Sequence, residues 1–305
     1  MTIEPLGGIV YQGLGDFEDH LRSELETWDE TWGPFYHAAG PKRPVFWTVN
    51  QWLEPFKLHF DSISEAAKAL RGIQRNWSPC PFTQFRRAEL IKAKLPPIVD
   101  KPKQFPDLVP ESPMGAWTLL DEHTMLASAR CASPFPGGLV EFQEDKLGPP
   151  SRAYLKLQEA LTRARRWPGA GDVCLDAGAT PGGWTWVLAG LGAQVTAVDR
   201  APLDDRILAL PNVRYLKHDA FTLTPEELGR MDWIFSDVIC YPKRLFEWVS
   251  RWLDSGLCDN FICTIKMQGE PDFETTRLFS AIPGSSVVHL NYNKHELTWI
   301  RQLNK

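Results

Sequence analysis

The stretch V-C-L-D-A-G-A-T-P-G-G-W, Val173 to Trp184, decides the fold. Val173 to Leu175 are mostly apolar and run into an acid, Asp176, as the end of a strand does. Gly178 to Gly183 make a tight turn, and the apolar run Trp184 to Leu188 opens a helix. Strand, glycine turn and helix form the layout of a nucleotide-type ligand site. Glycines let the backbone approach the ligand, and the free N–H groups of the helix start face it. The spacing is not G-x-G-x-x-G, and Pro181 sits inside the turn, which argues against a dinucleotide fingerprint. An acid at the strand tip suits a ligand that carries positive charge. S-adenosylmethionine has a sulfonium and an ammonium; a pyrophosphate has neither. The expected cofactor is therefore S-adenosylmethionine, held by Asp176, Gly178, Ala179, Pro181, Gly182, Gly183 and Trp184. Any βα turn could share so short a pattern, so its surroundings have to support it.

Outward from this turn the pattern alternates helix and strand. A composition shift at Gly148-Pro149-Pro150 marks an expected boundary between domains 1–147 and 148–305. Ser151 to Arg166 reads as a helix, with Pro168-Gly169 as its stop. Strands are expected at 173–177, 194–198, 213–217, 232–236, 259–265, 285–290 and near 296–302, with helices notably at 183–190, 243–254 and 272–281. Apolar strands separated by helices mean a mostly parallel sheet covered on both faces, a Rossmann-like α/β domain. Ligands then bind at the carboxyl ends of the strands.

Those ends carry acids. The first strand ends at Asp176, and the second at Asp199, 23 residues later, where an acid can hold a ribose diol. The third leads to Asp219 and Ala220, beside an adenine amine, and the fourth to Asp237. One such aspartate is more often a helix cap or turn former; four in succession on one sheet edge point to a site. Two lysines join them: Lys266 ends the apolar strand F-I-C-T-I, and Lys156 lies in the first helix of the domain. Glu296 heads the last strand. Alcohol methylation could use this constellation, because an alcohol must lose its proton as it attacks a methyl group in line. A lysine can take that proton only when it is neutral; a neighbouring ammonium and partial burial favour that state, and carboxylates oppose it while fixing the orientation. No metal is needed, since the cofactor carries an activated leaving group.

The first 147 residues read as a smaller α+β domain. Gly8 to Tyr11 is a strand candidate. Phe17, Leu21 and Leu25 mark an amphipathic helix with an acidic face. Residues 44–60 suggest strands, Ser62 to Gln74 a second helix, and Ala116 to Phe142 two or three strands. Between Lys68 and Lys103 nine Lys/Arg face two acids, Glu89 and Asp100, a local excess of seven positive charges. Trp77, Phe82 and Phe85 lie among them. Basic side chains interleaved with aromatics suit phosphate contacts and base stacking, and an ordinary solvated face over a core would look the same. Arg86, Arg87, Lys92 and Lys94 are the candidate nucleic-acid contacts. Residues 95–113, with six prolines, read as an extended connector.

The whole chain, 305 residues with net charge −5, is not a general nucleic-acid magnet, which leaves room for a local basic patch. No segment approaches the roughly 18 apolar residues of a membrane span. The opening M-T-I-E-P-L-G-G lacks the basic start of a signal peptide, and the six scattered cysteines form no C-x-x-C. Cytoplasmic localisation, core thiols and no zinc site are expected.

In S-R-A-Y-L-K-L (151–157), D-A-G-A-T-P-G-G-W (176–184), the S-D pair (236–237), I-K-M-Q-G-E (265–270) and H-E-L (295–297), the chain resembles the FtsJ-type (RrmJ/RlmM-like) ribose 2′-O-methyltransferase family. The motifs arrive in the family's order and cover nearly all of residues 148–305. The resemblance implies a seven-strand sheet of order 3-2-1-4-5-7-6 with strand seven antiparallel. It implies a catalytic tetrad Lys156, Asp237, Lys266 and Glu296, with Lys266 as the base, and RNA, most of all ribosomal RNA, as the substrate. Many members continue the S-D pair with an M-A-P-type sequence; here it reads S-D-V-I-C-Y-P, which bears on the RNA target. The layout is similar to the RlmM-like branch, which methylates a cytidine ribose of large-subunit ribosomal RNA. The opening G-L-G-D-F-E-D-H-L-R-S-E-L resembles the start of that branch's THUMP-like RNA-binding domain. Two other functions fit parts of the pattern: an RNA-binding module that keeps the fold without turnover, and a methyltransferase acting on a base, a protein or a small molecule.

Overall fold

The computed structural model describes residues 1–99, 101–109 and 111–303. Asp100, one of the two acids of the basic stretch, Pro110 of the proline-rich connector, and the last two residues of the 148–305 domain lie outside the described residues. The chain divides into two compact units, Met1–Lys103 with Val109–Glu141, and Gln104–Leu108 with Phe142–Lys305.

The first unit contains β1 (Thr2–Pro5), β2 (Ile9–Gln12), α1 (Glu18–Leu25), β3 (Glu30–Trp32), β4 (Phe35–Ala38), β5 (Asn50–Trp52), β6 (Pro55–His59), α2 (Ile63–Ile73), β7 (Trp77–Pro79), α3 (Phe85–Lys92), β8 (Gly115–Leu119) and β9 (Thr124–Ser128). One sheet runs β1-β6-β9-β8-β7 and another β3-β4-β2-β5. Leu70 of α2 and Ile91 of α3 meet Leu58, Trp77, Trp117 and Met125 of the first sheet in one core. Ser62 caps α2 by accepting from the Glu65 N–H at 3.2 Å. The sequence reading missed β1, β3, β4, β7 and α3. The four strands have only three or four residues, too few for a period-2 pattern to show. In α3 charged residues outnumber the buried pair Ala88 and Ile91, which hides its apolar face. A third strand after β9 does not form; Cys131 makes only an isolated bridge to Trp52, and prolines 134 and 136 remove donors there.

The second unit contains α4 (Tyr154–Ala164), β10 (Val173–Ala177), α5 (Gly183–Gly190), β11 (Gln194–Asp199), α6 (Asp205–Leu208), β12 (Val213–Lys217), α7 (Pro225–Leu228), β13 (Trp233–Ser236), α8 (Pro242–Ser255), β14 (Asn260–Lys266), α9 (Phe273–Ala281), β15 (Ser285–Val288) and β16 (Glu296–Arg301). Its seven-stranded sheet runs β12-β11-β10-β13-β14-β16-β15, the order and strand count the resemblance implied. Six strands run in one direction, and β16 alone is antiparallel, pairing with β14 on one side and β15 on the other. The chain leaves β10 toward β11 on one side and reaches β13 on the other. The crevice therefore opens at the carboxyl end of β10, where the strand order reverses.

Two glycines of the turn are required by its geometry. Gly178 has φ +81, and a Cβ there would lie 1.9 Å from a Val238 methyl. Gly182 has φ +111 and sits against Ile207. Both conformations disfavour any residue with a Cβ.

Candidate active site

The four residues of the expected tetrad converge. β13 is buried throughout, and the chain leaves it at Asp237, half-buried at the sheet edge. β14 is buried for six residues, and its seventh, Lys266, is the first to reach toward water. Because β16 is antiparallel, its first residue lies beside the last of β14, so Glu296 pairs in register with Lys266. Lys156 comes from α4, where ten of eleven residues are buried.

Asp237 is the hub. Lys156 Nζ donates to both of its oxygens at 2.8 Å, and Lys266 Nζ stands 3.1 Å from Oδ1. Lys156 Nζ also donates to Glu296 Oε1 at 3.0 Å. Burial works against the Lys156 ammonium, and the carboxylates of Asp237 and Glu296 more than offset it, raising its pKa above the ordinary lysine value. Lys156 is thus held charged.

Beside the hub lies an open cleft of about 440 Å³. Gly178, Asp199, Asp219, Ala220, Asp237 and Lys266 line it, together with Thr180, His218, Phe221, Val238, Ile239 and Arg244, which the sequence reading did not single out. Their only signal was position: Thr180 in the glycine turn, His218 and Phe221 near Asp219, Val238 and Ile239 in the loop after β13, and Arg244 in the first turn of α8. Asp199 accepts from the backbone N–H groups of Thr180 at 3.0 Å and Ala201 at 2.9 Å. Asp219 accepts from the Phe221 N–H at 3.0 Å and lies 3.5 Å from Arg244. Each carboxylate keeps free lone pairs for a ligand.

Asp176 departs from expectation. It is 1% exposed, does not line this cleft, and accepts a 2.6 Å hydrogen bond from Thr185 Oγ1. Burial, against the Thr185 bond and with Asp237 and Asp199 adding, pushes its carboxyl up to about 7. It braces the turn from below, because a side chain at that strand position points into the layer under α5. Ala179, Pro181, Gly182, Gly183 and Trp184 are also not among the cleft's walls. Ala179 packs with Leu203 and Ile207, and Trp184 Nε1 donates to the Ala153 carbonyl at 2.9 Å. Pro181 is exposed. Of the turn, Gly178 and Thr180 reach the cleft.

Glu159, one turn beyond Lys156 on α4, was not anticipated. It is fully buried; Arg163 donates to Oε1 at 2.9 Å and the Tyr292 N–H to Oε2 at 3.4 Å. Its signal in the sequence was an acid placed i+3 from a candidate lysine, on the same helix face.

In the first unit, Arg86, Lys92 and Lys94 are exposed. Arg87 is half-buried, with its guanidinium 5.7 Å from the Phe60 ring. The aromatics correct the expectation of a stacking surface: Trp77 is 2% exposed in the core and Phe82 packs on Phe35. Phe85, 61% exposed, alone of the three faces water. Apolar area is worth more in a core than on a surface, so Trp77 and Phe82 turned inward.

Among the described residues no group of three or more His, Cys, Asp or Glu could hold a metal, and no helix is long and apolar enough to cross a membrane. All six cysteines are free.

The sheet order, the antiparallel β16 and the cleft at the strand-order reversal define a Rossmann-like fold of the methyltransferase type. Residues 149–276 match the FtsJ-like methyltransferase family. The ribosomal RNA large subunit methyltransferase M of Xanthomonas axonopodis pv. citri is 34% identical over 227 residues, covering 70% of this chain and 60% of that protein. The protein of the same name from Xylella fastidiosa is 33% identical over 253 residues, covering 79% of this chain and 64% of that protein. The chain thus spans less than two thirds of the length of these curated relatives.

Proposed function

We propose that the chain is a methyltransferase that uses S-adenosylmethionine to methylate a ribose 2′-hydroxyl of RNA, with ribosomal RNA as the substrate. The observation that carries this is the single carboxylate of Asp237 gripping two ammonium groups, Lys156 at 2.8 Å and Lys266 at 3.1 Å, on the wall of the cleft. The cleft fits the cofactor: its volume lies in the range of small-molecule sites, Gly178 offers close backbone approach, and the carboxylates of Asp199, Asp219 and Asp237 stand on its wall. Asp199 would hold the ribose diol, Asp219 and Ala220 the adenine side, and Asp237 the end nearest the reaction. Bound there, the cofactor supplies a methyl group on a sulfonium leaving group.

The chain's own residues do the rest. Asp237 fixes both lysines. Glu296 and Asp237 keep Lys156 charged, so Lys156 supplies a constant positive charge and does not act as a base. Lys266 Nζ, the less buried of the two, takes the proton of the attacking hydroxyl. The buried helix α4 and strands β14 and β16 hold these groups without reorganisation, which favours an in-line approach. The N-terminal unit, residues 1–147 by the sequence division, serves as a THUMP-like RNA-positioning domain through Arg86, Lys92 and Lys94. The chain works in the cytoplasm, where ribosomal RNA is available.

Incubation with radiolabelled S-adenosylmethionine and ribosomal RNA, followed by digestion to nucleosides, tests the reading. Label on ribose is expected; label on a base, or on protein, would replace it with another class of methyltransferase. DNA, lacking the 2′-hydroxyl, should accept nothing. RNA binding without any transfer would mark a binding module.

A further inference from the structure

We infer that Glu159 is a positioning residue for the Lys156–Glu296 pair, acting through the backbone of the turn that leads into β16. This rests on the methyl-transfer reading above. Lys156 and Glu159 are one turn apart on α4 and face the same side. Lys156 reaches Glu296 at the start of β16. Glu159 reaches the residues just before it: its Oε2 accepts from the Tyr292 N–H at 3.4 Å, and the Asn291 backbone bonds the same carboxylate. The helix therefore grips one segment at two points four residues apart.

That segment is tied together by hydrogen bonds. Asn293 N–H donates to the Leu290 carbonyl at 3.1 Å, and Asn293 Nδ2 to Thr298 Oγ1 at 3.1 Å. The Met267 N–H donates to the His295 carbonyl at 3.2 Å, joining the turn to the residue after Lys266. These bonds give a shift at 291–292 a path to Glu296. Glu159 needs its charge for this. Oε1 is filled by Arg163 Nε at 2.9 Å and Nη2 at 2.8 Å, and Oε2 serves the turn. A glutamine has one carbonyl oxygen, so its amide would face either Arg163 or the Tyr292 N–H, donor against donor.

The experiment uses the full chain, radiolabelled S-adenosylmethionine and total ribosomal RNA from cells lacking this protein, with the variants E159Q, E296Q and their double. E159Q should lower kcat on the order of 10–100-fold, the loss expected from misplacing a group by about 1 Å, with KM for S-adenosylmethionine unchanged. The double variant should be no slower than E296Q, since both changes break the same link. Proton exchange at the Lys156 ammonium, followed by NMR on 15N-lysine protein, should speed up in E159Q although Glu159 makes no hydrogen bond to Lys156. This arm needs no turnover, so it decides the inference even where the wild-type chain transfers nothing and the methyl-transfer reading falls. Unchanged kcat in E159Q, losses that add in the double variant, or unchanged Lys156 exchange would overturn it. If E159Q does not fold, E159D carries the same cycle: it keeps the charge but shortens the reach, and its loss should again vanish on the E296Q background.

Discussion

The Lys156–Asp237–Lys266–Glu296 cluster and the basic stretch from Lys68 to Lys103 are both groups of charge, and the two units treat them in opposite ways. In the second unit, residues up to 140 positions apart share hydrogen bonds at 2.8 to 3.1 Å, with Lys156 and Glu296 buried. In the first unit, Arg86, Lys92 and Lys94 stay in water, and two of the three neighbouring aromatics are turned into the core. Burying charge is costly unless it is paired, so a buried, fully paired cluster is a specific construction. An exposed cationic helix face is what solvation alone would leave. The first arrangement suits chemistry at one point. The second suits a diffuse, salt-sensitive hold on a polyanion.

The comparison can be broken most directly at Lys266. K266A should leave S-adenosylmethionine affinity by calorimetry nearly intact and lower methyl transfer by about 10²–10⁴-fold, the usual worth of a general base. Transfer at a comparable rate would assign the proton to another group. Lys156 tests whether the cluster also holds the fold together. K156M leaves Asp237 and Glu296 without their shared cation, and denaturant unfolding should show a loss of about 3–5 kcal/mol. A loss within the range of surface substitutions would mean that water already reaches the cluster.

Asp176 sharpens the picture through pH. Its carboxyl is raised to about 7 in the fold from an ordinary 3.8, so between those values the folded state binds more proton than the unfolded one. Its contribution to stability is full below about pH 4 and is lost as pH rises through about 7, on the order of 4 kcal/mol. D176N, which keeps an acceptor for Thr185, should lack this part of the slope. Parallel stability–pH curves for the two proteins would show that Asp176 is not desolvated. The smallest effect belongs to the basic stretch. Charge reversal at Lys92 and Lys94 should weaken RNA binding and flatten its salt dependence by about 0.7–0.9 per phosphate contact removed. The same change at Arg87 should instead lower stability, since that guanidinium packs on Phe60. Unchanged affinity and salt slope at Lys92 and Lys94 would leave the first unit without a demonstrated hold on RNA.

How far the chain could be read in advance followed the length of each element. β10, β12 and α5 begin and end at the residues expected from the sequence pattern, and the other strands of the second sheet depart by at most a few residues. The inner strands β10, β13 and β14 are largely buried runs bounded by turn residues, and burial on both faces leaves a continuous apolar signal, while the outer strands β12 and β15 are only partly buried. In the first unit the three-residue strands β3, β5 and β7 carry no usable period; β5 and β7 pair with partners far along the chain, and β3 pairs with β4 through a two-residue turn. At the site, Asp199, Asp219, Asp237 and Lys266 were legible because each ends a strand. Asp176 also ends one, yet it faces inward, and the period of two along a strand cannot say which layer a given face meets.

By itself, then, the order of residues determined the alternation of strands and helices, the acids at the strand tips, and the chemical types available to the site. Those depend on local periodicity and on which residues can end a strand. Tertiary structure alone decided that Glu296 would stand beside Lys266, through the antiparallel turn of β16, and that Glu159 would hold the turn before it. It also decided that Asp176 would be sealed under α5 while Asp237 faced the cleft. These outcomes depend on packing and pairing between segments distant in the chain, where the cost of burying an unpaired charge selects one arrangement.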